Sequence, residues 1–332
     1  MPIVDVLFTS QVLNGNPLRD PATRRIPIYV PADYATSGMR YPVVYFLAGF
    51  SSRGTTLLNE SAWDETMPAR LDRLIGGGAV RPLIMVMPDC MTKLGGSQYI
   101  NSTGTGRYED HVIHELVPFV DATYRTLPAR EARVVMGKSS GGYGATVLAM
   151  RHPDVFGLAV DHSGDKYFEL CYKADIPKCV AGLAPYGHSA AQFLHDFPHP
   201  PEERGRHWFD VVNMLAMASC YAPNPGSPAG FDLPFDAYTG ELRADVWQRW
   251  LAHDPIELAA QHADALRSLQ LYFLDCGRFD EHHLQYGARI YAQRLKSLGV
   301  AHRYEEFGGG HRNIAYRYDV SLQVVSAALP RG

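Results

Sequence analysis

Arg133-Val134-Val135-Met136-Gly137-Lys138-Ser139-Ser140-Gly141-Gly142-Tyr143-Gly144 joins a short apolar run to a glycine-rich turn, and Ala145 to His152 continue it with residues rich in Ala and Leu. The turn matches G-x-S-x-G between a strand and a helix, the context this motif requires. A sharp strand-to-helix turn lifts one serine hydroxyl out of a sheet. The flanking positions must be glycine because backbone crowds them. The helix start behind the serine offers N–H donors and a positive dipole end to a developing oxyanion. Ser139 is the central residue and the expected nucleophile. Ser140 competes by residue type, but the register makes its N–H an oxyanion donor instead. The alternative is a tight turn that merely closes a βα unit.

Working outward, apolar runs recur along the chain. Strands are expected at Ile26–Val30, Val43–Leu47, Leu83–Met87, Arg133–Met136, Leu158–Val160, Leu269–Leu274 and His302–Phe307. These runs are continuous rather than alternating, as in strands covered on both faces. Helical spacing marks Trp63–Ile75, Glu109–Tyr124, Ser140–His152, Leu284–Leu298 and Tyr318–Ala328. Alternating strands and helices imply a mostly parallel central sheet with helices on both faces, an α/β fold, in a single domain over 1–332. One region breaks the alternation. Asp165–Trp250 contains no convincing core strand, yet holds 14 aromatics in 86 residues and 9 prolines. A helical and loop cap inserted over about 165–255 is expected rather than a second domain, since long insertions at one sheet end serve as lids or pocket walls.

A nucleophilic serine needs a base, and the base needs an orienting carboxylate. In a sheet of this kind the chain order is Ser, then Asp or Glu, then His. His282, His283, His302 and His311 are the histidines late enough. His311 follows Gly308-Gly309-Gly310 at the end of the last strand, where it can swing over the serine. His302 stands at the wrong end of that strand, and His282 and His283 read as surface or capping residues. The acid belongs after the strand Leu269–Leu274. Asp280, on the loop behind Gly277-Arg278-Phe279, is preferred to Asp275, which can pair with the sheet end or Arg278. Glu281 reads as a helix N-terminal charge. The second oxyanion donor is expected at the end of Leu47-Ala48-Gly49-Phe50, with the Phe50 N–H first and Gly49 in reserve.

These motifs resemble a known group. Gly137–Gly142 with Tyr143-Gly144, the GRFD loop at Gly277–Asp280 and the GGGH turn at Gly308–His311 look like the "putative esterase" branch of the α/β-hydrolases. So do Val86-Met87-Pro88-Asp89 and Gly106–Asp110 followed by Glu115-Leu116. The branch includes esterase D-like S-formylglutathione hydrolases, feruloyl and acetylxylan esterases, enterochelin esterases and mycolyltransferases. The likeness runs from about Arg25 to His311, interrupted by the insertion. It implies an α/β-hydrolase fold, with Ser139 as nucleophile, Asp280 as acid, His311 as base, and Phe50 and Ser140 as oxyanion donors. The expected activity is hydrolysis of short-chain or aromatic, feruloyl-type esters. S-Formylglutathione hydrolysis is a secondary reading, because Ser140, Tyr143 and the long insertion depart from that pattern. Acyl transfer, or a non-catalytic binding role, completes the alternatives.

Composition bounds the rest. The chain has 332 residues, Lys+Arg 31 against Asp+Glu 35 and a net charge of −4, which argues against a protein built to hold nucleic acid. No run of about 20 apolar residues exists, so no membrane span is expected. The partner expected is a small-molecule ester, with a homo-oligomer possible. The start Met1-Pro2-Ile3-Val4-Asp5 lacks the pattern of a secretory signal, so a cytoplasmic location is expected unless a leader was trimmed. Five cysteines without CxxC make a zinc cluster improbable, though Cys171 and Cys179 could bridge in an oxidising compartment. No cofactor and no metal are expected. Gly76-Gly77-Gly78 lacks the Lys-Ser/Thr of a phosphate loop. His195, His199 and His207 read as insertion surface, and His111 and His114 beside Glu115 are weak metal evidence. Gly95–Ser102 is either a pocket lining or a packed loop.

Overall fold

The computed structural model describes residues 3–198 and 204–330. The strands are β1 (Ile3–Thr9), β2 (Thr23–Tyr29), β3 (Val43–Leu47), β4 (Ile84–Val86), the short pair β5 (Asn101–Ser102) and β6 (Gly106–Arg107), then β7 (Arg133–Lys138), β8 (Leu158–His162), β9 (Leu271–Gly277) and β10 (Arg303–Phe307). Eight of them form one sheet in the order β1-β2-β4-β3-β7-β8-β9-β10. From β4 to β10 every pairing is parallel, and only β1–β2 and β2–β4 are antiparallel.

Alternation along the strands divides the core into two layers. Val44 and Phe46 of β3 point to one face, where Met67, Leu71 and Leu74 and the C-terminal helix residues Leu322 and Val325 cover them. Val43, Tyr45 and Leu47 point to the other, packing with Val120, Leu148 and Leu295. The helices are Met67–Gly76 and Arg317–Ala328 on the first face. On the second they are the helical segment Tyr108–Thr123, Ser140–Arg151 and Leu284–Ser297. The segment Tyr108–Thr123 is a single run whose middle, His111–Leu116, widens into a π turn.

Most element boundaries shift by a few residues from expectation, and three differences are notable. The helix expected at Trp63–Ile75 begins at Met67, because the Thr66 hydroxyl caps the Ala69 N–H and Pro68 suits the first turn. Trp63 is 94% exposed ahead of it. Strand β1 was not anticipated, since it is a half-exposed edge strand with no continuous apolar run. The strand expected at Leu269–Leu274 runs on to Gly277.

Between β8 and β9 lie helices including Ile176–Leu183, Trp208–Tyr221, Ala244–Leu251 and Pro255–Gln261, and no strand of the main sheet among the described residues. This segment is fastened to the sheet-covering helices by aromatics. Phe168, Tyr172, Tyr221 and Trp250 meet edge to face or tilted, and Tyr143 of the Ser140–Arg151 helix joins them. All five cysteines are buried and free, so Cys171 and Cys179 are not bridged. Among the described residues no helix is long and apolar enough to cross a membrane.

Candidate active site

The elbow expected from the sequence is built by steric exclusion. Ser139 sits between β7 and the following helix with φ 58° and ψ −127°, a strained conformation for a residue with a side chain. A Cβ on Gly137 would lie 2.2 Å from the Gly141 carbonyl oxygen, and one on Gly141 would lie 2.0 Å from that of Leu47. Strand, nucleophile turn and helix are therefore too close for any other residue at either glycine. Tyr143 N–H donates to the Ser139 carbonyl at 2.9 Å, starting the helix at once.

The structure brings Ser139, Asp280 and His311 together. The Ser139 hydroxyl lies 3.0 Å from His311 Nε2, and His311 Nδ1–H donates to Asp280 Oδ2 at 2.8 Å. His311 hangs from the loop after β10 and Asp280 from the loop after β9. Those loops lock together through the Arg278 and Phe279 N–H groups, which donate to Phe307 and Gly309. Burial works to raise the Asp280 pKa. The His311 hydrogen bond and charge, with the His282 N–H on the other oxygen at 2.9 Å, outweigh it and hold the carboxyl below its ordinary value.

Phe50 and Ser140 both border the cavity at Ser139, together with Gly49. Within the Phe50 loop, Ser51 N–H donates to Gly95 and Ser52 N–H to Gly49, which leaves the Phe50 N–H outside these turn bonds. The loop Gly95–Ser102 backs this turn. A Cβ on Gly95 would meet the Phe50 ring at 2.8 Å, and Tyr99 OH donates to the Ala48 carbonyl. Of its two readings, the packed loop fits.

Several neighbours have other places than the sequence suggested. His282 is not a surface residue: its ring meets that of His311 edge-on at 4.8 Å, and it lines the cavity. Burial first, then the His311 charge, lowers its pKa. Glu281 is not a helix charge but accepts the His311 backbone N–H, pinning the loop. Asp275 pairs with His162 at 2.6 Å and Arg317 at 2.8 Å, whereas Arg278 stands 3.9 Å from Glu306. His111 pairs with Glu115, His195 with Asp196 and His207 with Asp210, while His199 lies outside the described residues.

The cavity measures about 350 Å³. Asp165, Cys171, Tyr172, Asp175, Phe209 and Asn213 of the segment between β8 and β9 line it. Asp165 is 8% exposed. Burial raises its pKa, against hydrogen bonds from Tyr172 OH at 2.8 Å and Gln98 Nε2 at 3.1 Å. Sequence reasoning did not single out Asp165, and although Gln98 lies in the Gly95–Ser102 loop named as a candidate pocket lining, only the fold brings the two, 67 positions apart, together.

A parallel sheet with antiparallel strands at one edge, and a serine on the strand-to-helix turn, defines an α/β-hydrolase fold. Solved structures share it. A ferulic acid esterase superposes with TM-score 0.65 at 20% identity over 98% of both chains. An S-formylglutathione hydrolase of Staphylococcus aureus does so with TM-score 0.59 at 17% identity over 99% of both. The chain belongs to the Putative esterase family, whose sequence model matches residues 21–324. It is also 33% identical over 140 residues to an esterase of Mycobacterium tuberculosis, a stretch that covers 42% of this chain and 28% of that protein. The chain thus spans little more than a quarter of the length of that curated relative.

Proposed function

We propose that the chain is a serine carboxylesterase acting through Ser139, His311 and Asp280. The observation that carries this reading is the His311 ring, held between Asp280 at 2.8 Å and Ser139 at 3.0 Å beside a cavity. His311 Nε2 takes the Ser139 proton as Oγ attacks the ester carbonyl carbon. The Phe50 and Ser140 N–H groups receive the oxyanion. Asp280 keeps Nδ1 protonated and stabilises the imidazolium without taking its proton. His311 then protonates the departing alkoxide, and water releases the acid by the same steps in reverse roles. The segment over 165–255 acts as a cap that closes the cavity. Its aromatic lining, with Phe209 edge-on to Phe50 at 5.7 Å, favours short-chain or aromatic acyl esters of the feruloyl type. Five free, buried thiols suit a reducing compartment.

The test is hydrolysis of p-nitrophenyl esters from acetate to dodecanoate, with Ser139→Ala beside the wild type. Turnover should fall on the order of 10³-fold or more in the variant while the fold persists. Full activity in the variant would sink the assignment. Short chains and feruloyl esters should lead the series. A flat profile would remove the substrate class, and adding a competing alcohol separates hydrolysis from acyl transfer.

A further inference from the structure

Two cations border the cavity without any partner. Lys138 ends β7, immediately before Ser139, and Arg312 immediately follows His311. Among the described residues, neither has a salt bridge or a side-chain hydrogen bond. Lys138 is half-buried and Arg312 is exposed, whereas more enclosed cations among the described residues are paired: Arg70 with Asp319, Arg133 with Asp121, Lys166 with Asp161 and Arg317 with Asp275. Burial lowers the Lys138 pKa, with Arg312 adding to the effect against the attraction of Asp280 and Glu281.

The carboxylates that act on Lys138 are Asp280 and Glu281. Both are engaged elsewhere. Asp280 gives its two oxygens to His311 Nδ1–H and the His282 N–H, and Glu281 takes the His311 backbone N–H. Neither borders the cavity, whereas Lys138 and Arg312 do; the carboxylates that also border it are held elsewhere, Asp165 by Tyr172 and Gln98 and Asp175 by Lys178. Lys138 also borders a second cavity of about 290 Å³, which shares Thr56, Leu57 and Tyr318 with the first. Asp64 and Glu65 lie on that cavity, with Glu65 held by Arg73. The ammonium therefore stands where the two spaces meet.

A half-buried ammonium without an ion-pair partner, on a cavity that a second unpaired cation also borders, costs free energy that a bound anion returns. We propose that Lys138 and Arg312 form an anion subsite for the alcohol half of the substrate, so that the preferred esters carry a carboxylate or phosphate on their leaving group. This rests on the serine-esterase reading above. The alcohol half follows from the chemistry: His311 must hand its proton to the leaving oxygen, so the leaving group lies against His311, and Arg312 is the next residue.

The experiment compares 4-acetoxybenzoate with its neutral methyl ester, measuring kcat/KM for wild type, Lys138→Met, Arg312→Gln and Lys138→Arg. The first two variants should lower kcat/KM for 4-acetoxybenzoate at least tenfold more than for the methyl ester. Lys138→Arg should restore most of the preference, and added salt should erode it in the wild type. An anion-to-neutral ratio unchanged in both variants overturns the subsite, as does an equal loss on both esters. Ser139→Ala is run with both probes. Silence on both, with an unchanged ratio in Lys138→Met, removes the subsite alone, while turnover surviving in Ser139→Ala removes the esterase reading beneath it.

Discussion

Among the described residues, two histidines hold an aspartate on one nitrogen and a serine on the other. His311 joins Asp280 to Ser139, and His162 joins Asp275, at 2.6 Å, to Ser321, at 2.9 Å. Residue chemistry is the same in both, so surroundings decide the outcome. Ser139 borders a cavity, whereas His162 and Ser321 are completely buried. Asp275 is further neutralised by Arg317, and the Ser321 hydroxyl also donates back to the Tyr318 carbonyl. The buried set is therefore a clamp between β8, β9 and the C-terminal helix. Ser321→Ala should keep turnover within about twofold while costing about 1–2 kcal/mol of stability, the expense of an orphaned buried imidazole nitrogen. Urea denaturation alongside an ester assay checks both halves, and a large loss of turnover without a loss of stability would refute the division. Asp280→Asn should do the reverse. It disturbs the tautomer His311 needs, and turnover should fall on the order of 10³- to 10⁴-fold while the urea midpoint moves little.

At the scale of elements, the elbow is the most constrained junction. Its glycines answer to backbone rather than to side chains that can move aside: Gly141 would place a Cβ 2.0 Å from the Leu47 oxygen and Gly137 one 2.2 Å from that of Gly141. Gly141→Ala must push β3 away from the helix start, carrying the Phe50 loop with it. Thermal denaturation should find it destabilised by several kcal/mol, roughly the upper range for single substitutions, with turnover lost in the same variant. An alanine variant of wild-type stability would mean that the strand and helix separate more easily than their spacing suggests. This junction was readable from sequence because its constraints are imposed by neighbours in the chain. The parallel strands were readable too, since burial on both faces writes continuous apolar runs such as Val43–Leu47. Strand β1 escaped because an edge strand needs no such run. His282 and Glu281 were misread because their roles depend on a loop 30 residues later, and the Asp275 partnership joins positions 113 and 42 apart.

Over the whole molecule, the segment between β8 and β9 is not a detachable lid. Its aromatics Phe168, Tyr172, Tyr221 and Trp250 belong to the same continuous core as Tyr45, Val135 and Leu148. One cooperative unfolding transition is expected in consequence, and a titration inside that shared core should move all of it. His253 supplies the case. Its ring stacks on Tyr221 at 5.1 Å, its carbonyl accepts from Tyr143 OH at 3.0 Å, and its Nδ1 is buried without a partner. Arg151 and Glu109 are the charges that act on it, and burial, the dominant effect, pushes its pKa down to about 4. An unfolded histidine titrates near 6.5, so the folded-state value is depressed. As pH falls below about 6.5 the unfolded chain takes a proton that the folded chain refuses, and stability drains away until the pH passes about 4. The full loss is about 3 kcal/mol at the ~1.4 kcal/mol carried by each pKa unit. His253→Phe keeps a flat ring against Tyr221 and removes the titration. Denaturant unfolding at pH 7 and pH 4.5 should therefore give a clearly smaller pH-dependent loss in His253→Phe than in the wild type, with one transition in both. An identical loss in the two proteins would show that the acid sensitivity of this core resides elsewhere, and a transition that splits in two would show that the inserted segment unfolds by itself.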